Sequence, residues 1–161
     1  MQENRQPAGR AGELTTAKEQ VVLPQDINSP LAEETSLWRG LEKLGPQRSV
    51  EILWAISARF SIDPKSPWWW DKEFSGRATA STSDDLDILR TRFPHSEPIL
   101  FVPTDDEFAP WTVYQSKLPT VISFLRNSPF FEYFIATTDY AKIAFDNHHN
   151  QLIFVDAELR K

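Results

Sequence analysis

Hydrophobic and polar positions change rhythm twice along the chain. Residues 1–30 are polar, carry Pro7, Gly9, Gly12, Pro24 and Pro30, and hold no sustained period. They predict a flexible arm ahead of one folded domain over 31–161, with the apolar run VVLP at 21–24 as a segment able to dock on it. Leu37, Trp38, Leu41 and Leu44 then recur at helical spacing, and Gly45 with Pro46 supplies a stop. Ile52, Leu53, Ile56 and Phe60 predict a second helix, ended at Asp63 and Pro64 because proline disfavours helical geometry in the residue before it. In SPWWWDKEFSG, Ser66 suits an N-cap, Pro67 the first helical position and Gly76 the residue past the end, which predicts a short helix. After the polar stretch SGRATASTS, a third substantial helix is predicted from Ser83. Asp84 and Asp85 in its first turn oppose the dipole favourably, and Leu86, Leu89 and Phe93 face inward.

Beyond Pro94 the period becomes that of strands. ILFV at 99–102 is apolar on both faces and reads as an interior strand, and WTVYQ at 111–115 alternates. Leu118, Val121, Ile122 and Leu125 mark one amphipathic helix stopped by NSP. FEYFIAT, AKIAF and LIFVD complete the chain as strands whose short links favour antiparallel neighbours. The expected fold class is α+β, with N-terminal helices packed on a mainly antiparallel sheet of about five strands in the order β-β-α-β-β-β.

Composition narrows the function classes. A net charge of -6 and scattered Lys and Arg argue against nucleic acid, whose affinity comes from phosphate neutralisation, and favour a basic protein partner. No cysteine is present, which excludes disulfides and thiol catalysis and fits a reducing compartment. The N-terminus lacks a signal-peptide core and no apolar run approaches a membrane span, so a soluble, cytoplasmic protein is expected. All five glycines lie at or before Gly76, and there is no P-loop, dinucleotide fingerprint, GxSxG elbow or HExxH helix. No cofactor is expected.

Four stretches carry candidate chemistry. In FDNHHN at 145–150, Asp146 and His148 are spaced to share one strand face, where a carboxylate orients an imidazole for metal binding or proton transfer, with a third ligand to come from distant Glu132, Asp139 or His95. Adjacent His148 and His149 would diverge in an extended chain, and Asn and Asp also suit a plain hairpin turn. The three tryptophans of PWWWD fan through about 200 degrees of a helix, so at least one ring must reach the edge of the core. PTDDEFAP carries Asp105, Asp106 and Glu107. From Ser83 to Ala109, seven carboxylates stand against Arg90 and Arg92, a net -5 that reads either as a solvated loop or as a recognition patch for a basic partner. In SPFFEYF, Phe131, Tyr133 and Ile135 share one face, and Glu132 is the odd residue on the other.

WWWD together with SPFFEYFIATTDYAKIAFDNHHNQLIFV resembles an uncharacterised family of small, acidic bacterial proteins, over residues 66–156. That resemblance implies a compact α+β domain and brings no catalytic residues with it. The layout of helices, acidic surface and sheet is also similar to immunity proteins of bacterial toxin systems, the SUKH type among them. The expected function is therefore a non-enzymatic protein-binding module, an immunity-type protein or inhibitor masking a basic toxin or effector. Asp105, Asp106 and Glu107, with Asp84 and Asp85, would steer the partner, and Trp69 or Trp111 would anchor it. The alternative is a small metal-assisted or acid/base enzyme using Asp146, His148, His149 and Glu132. A structural subunit associating through the tryptophan segment is a third reading.

Overall fold

A computed structural model describes residues 38–74, 78–82, 84–104 and 109–157. The predicted arm and the acidic residues Asp105, Asp106 and Glu107 lie outside these described residues, as does Ser83. The described chain runs β1 (Glu42–Lys43), α1 (Pro46–Phe60), a 3-10 turn (Trp69–Asp71), β2 (Ala78–Thr82), α2 (Ile88–Arg92), β3 (Pro98–Pro103), β4 (Tyr114–Lys117), α3 (Leu118–Asn127), β5 (Tyr133–Thr137), β6 (Lys142–Asn147) and β7 (Gln151–Asp156). All seven strands join one antiparallel sheet, ordered β1-β4-β3-β5-β6-β7-β2.

Pleating sends alternate residues of the central strands to opposite faces, and both faces are buried. Leu100, Val102, Phe134, Ala136, Ile143, Phe145 and Val155 meet Ile52, Leu53, Ile56 and Phe60 of α1 and the rings of Trp69 and Trp111. Ile99, Phe101, Tyr133, Ile135, Ala144, Leu152 and Phe154 meet Leu89 and Phe93 at α2 and Leu118, Val121, Ile122 and Phe124 of α3. The sheet is thus covered by helix on each side, where the sequence predicts helices against a sheet without dividing them.

Four expectations are corrected. No helix runs through 38–44: Gly40 sits at φ +89, its carbonyl accepts from the Ser116 hydroxyl at 2.6 Å, and Leu44 N–H donates to the Val113 carbonyl at 2.9 Å. Leu41 packs on the α2/α3 side and Leu44 on the α1 side, the alternation of a strand. Gly45 and Pro46 accordingly begin α1, with proline in the first turn where its missing N–H costs nothing. The polar stretch at 78–82 is the edge strand β2, paired through its backbone to β7. The helix expected from Ser83 is shorter than predicted, because Asp84 to Asp87 make successive turns and only Ile88–Arg92 is helical. The tryptophan segment forms a 3-10 turn in place of a capped helix, and its rings divide as their fan requires, with Trp69 buried, Trp70 half-buried and Trp68 exposed.

Candidate functional site

The turn that joins β6 to β7 is built by its own side chains. Asn147, buried, accepts at Oδ1 from the N–H groups of His149 at 3.0 Å and Gln151 at 3.2 Å, while Asn150 takes φ 54, the left-handed conformation that asparagine tolerates. The histidines consequently do not diverge as in extended chain. Their ring centroids lie 4.1 Å apart, and both rings meet Trp70 edge-on at 5.2 and 5.5 Å. Glu132 caps this group, accepting from the His148 backbone N–H at 2.9 Å and contacting its Nδ1 at 2.5 Å.

Asp146 belongs elsewhere. It sits opposite Tyr133 and Leu152 in the ladder, on the α2/α3 side of the sheet. The imidazoles instead rest on Trp70, which packs on the α1 side. The predicted quartet therefore resolves into a Glu132, His148 and His149 group and a separate Asp146. Among the described residues, no three His, Asp or Glu side chains converge as metal donors would.

Asp146 and Tyr133, both buried, form the base of a cleft of about 180 Å³ beyond the C-terminal end of α3. Phe131 and Leu125 wall it, and exposed Asp84, Phe130 and Asn150 line its rim. The Tyr133 hydroxyl lies against the Asp146 carboxylate, a hydrogen-bond acceptor. Burial pushes its phenol well above the ordinary value of 10.0, and the Asp146 carboxylate beside it pushes the same way. The folded protein thus holds this proton more tightly than the unfolded chain. The resulting stability is complete below pH 10.0 and is lost as pH rises through the folded value. In an alkaline titration the Tyr133 phenolate should appear in ultraviolet absorbance only together with loss of near-ultraviolet circular dichroism, and Tyr133→Phe should remove that step. Phenolate formation at Tyr133 in an intact fold would contradict the burial argument.

On the opposite side, α1 presents a second feature. Trp54 is 59% exposed and Val50 36%, although Leu53 beside them is buried. Together with Pro64, Lys65 and Pro110 they bound an apolar groove of about 210 Å³ that reaches the buried Trp69. Trp69 and Trp111 are 2% and 4% exposed, Trp69 stacked on Phe134 and Trp111 edge-on to it, so both rings belong to the core. Trp54 was legible in principle, because it falls outside the stripe of Ile52, Leu53, Ile56 and Phe60 on an amphipathic helix.

Comparison with protein-family models, curated proteins and solved structures finds no match to this chain. No helix among the described residues is long and apolar enough to cross a membrane.

Proposed function

We propose that the chain is a non-enzymatic protein-binding module of the immunity or inhibitor type, which covers a basic surface of a toxin or effector protein. The observation that carries this reading is Trp54, a large ring more than half exposed beside an apolar groove. Tryptophan in such a setting is the residue type that most often concentrates binding energy, because its broad apolar face loses water when a partner side chain fills the adjoining pocket. The net charge of -6 supplies attraction to a basic partner at long range. Asp105, Asp106 and Glu107 stand close before Ala109 and Pro110 in the sequence, and both of those residues line the groove.

Trp54→Ala tests the reading, since an exposed side chain contributes within about 0.5 kcal/mol to stability. Tagged full-length protein and the variant are used in parallel to capture partners from lysate of the source organism, and any complex is reconstituted from purified components. The expected result is one basic protein bound in equimolar amount, with Kd raised by about thirtyfold or more in the variant, a loss of at least ~2 kcal/mol. Association should also slow as salt is raised. Binding that the substitution leaves unchanged would remove the groove from the interface, and a partner that is not basic would overturn the masking role.

A further inference from the structure

The groove beside α1 carries a demand that its own walls leave unmet. Trp69 lines it while only 2% exposed, and the indole Nε1–H of that residue has no hydrogen-bond acceptor. A buried donor without an acceptor is costly, so an occupant that brings an oxygen to it is favoured over a purely apolar one. Lys65 is the one charged residue of the lining, and its ammonium forms no ion pair among the described residues. The groove therefore suits an apolar body with one acceptor oxygen and a carboxylate at its edge. Aromatic walls also suit an extended segment containing proline, which holds that geometry unaided and brings no N–H to be stranded among apolar side chains. One stretch of this chain combines these properties. VVLP at 21–24 is the longest apolar run ahead of residue 37, and Asp26 follows Pro24 by two residues.

We infer that residues 21–24 dock in the Trp54 groove of their own molecule, with Leu23 and Pro24 against the Trp54 ring, a backbone carbonyl accepting from Trp69 Nε1–H, and Asp26 beside Lys65. The volume of about 210 Å³ equals the share of about seven liquid waters, which the carbons of the Leu23 side chain and the Pro24 ring together fill. The chain joins the described domain at Trp38, which packs with Tyr114 and Phe124 on the α2/α3 side, so the segment passes round the β1 edge. Length permits this. The 15 steps from Leu23 to Trp38 span up to about 50 Å when extended, against a radius of gyration of about 13–14 Å for a domain of this size. Tethering presents the segment at an effective concentration on the order of millimolar, so a modest intrinsic affinity fills the groove. A docked segment covers Trp54. Any partner then meets the groove only in the undocked fraction, and its apparent Kd rises accordingly, which makes the segment an autoinhibitory cover.

The inference rests on the groove and not on the masking role, and its test needs no partner, so the two ideas fail separately. Because the full-length protein has no cysteine, a single Gln20→Cys carries a nitroxide close to Leu23. In isotope-labelled protein this label should broaden the signals of Val50, Leu53, Trp54, Lys65 and the Trp69 indole severalfold more than those of Leu89 and Ile122 across the sheet. Leu23→Asp puts a charge into the apolar contact. It should abolish that difference and move the Trp69 indole N–H resonance, while signals away from the groove stay in place. Trp54→Ala, a change at an exposed residue, should reduce the difference severalfold. Broadening spread evenly over the domain, broadening that Leu23→Asp leaves unchanged, or an indole resonance indifferent to that variant would overturn the proposal. Isotope-labelled chains without the nitroxide, mixed with unlabelled chains that carry it, should show no broadening of the groove. Broadening there would overturn docking within the molecule and assign the groove to a second copy.

Discussion

Phe134→Ala is expected to lower the free energy of unfolding by about 3–5 kcal/mol. The ring is fully buried in the α1-side core, stacked on Trp69 at 5.6 Å and in contact with Trp111 at 6.2 Å and Phe145 at 5.7 Å. Truncation removes the transfer free energy of a phenyl group, and it leaves a void that three rigid aromatic neighbours can close only partly. Domains of this size are stable by about 5–15 kcal/mol in total, so the loss is a large share of what holds the fold. Urea denaturation should show a large fall in midpoint at unchanged slope. Phe130→Ala is the matched control: the same chemical change at a side chain 59% exposed should cost within about 0.5 kcal/mol. Similar costs at both positions would mean that the sheet is not packed on the α1 side as described.

The second large effect falls on the turn. Asn147→Ala should cost about 2 kcal/mol, because the side-chain oxygen accepts from two backbone donors, His149 N–H and Gln151 N–H. Asn147→Asp keeps an oxygen in place and should cost much less. Denaturation reports the magnitude, and amide hydrogen exchange reports the place: His149 and Gln151 should lose protection in the alanine variant. If both substitutions behave alike, the capping oxygen is not what holds this hairpin.

Most of the strand-rich half could be read from residue patterns, and the reasons are physical. ILFV, FEYFIAT, AKIAF and LIFVD are buried on both faces, so their apolar runs stand out, and the helix at Leu118–Asn127 shows a clean stripe. The edges of the sheet were not legible. β2 is made of small, mostly exposed residues held by backbone bonds to β7, and backbone bonds leave no hydrophobic signature. β1 was misread because Trp38, Leu41 and Leu44 fit helical spacing, yet they serve two different faces. The same ambiguity governed the candidate sites. Spacing put Asp146 with His148, but the strand ends at Asn147 and the turn carries the imidazoles to Trp70. The Asp146 and Tyr133 pairing depends on register between β5 and β6, which no local pattern contains. The exposure of Trp54 and the burial of Trp69 likewise follow from packing of the tryptophan segment under α1.

The strand order has a temporal meaning. β2 lies early in the chain, but its partner β7 is the last strand, and the segment between them contains every other strand of the sheet except β1. During synthesis β2 leaves the ribosome with no ladder to join, while β5, β6 and β7 close on short turns as soon as they emerge. The C-terminal meander is thus the template on which the edge is laid, and a chain ending before Gln151 would forfeit two strands for the loss of one.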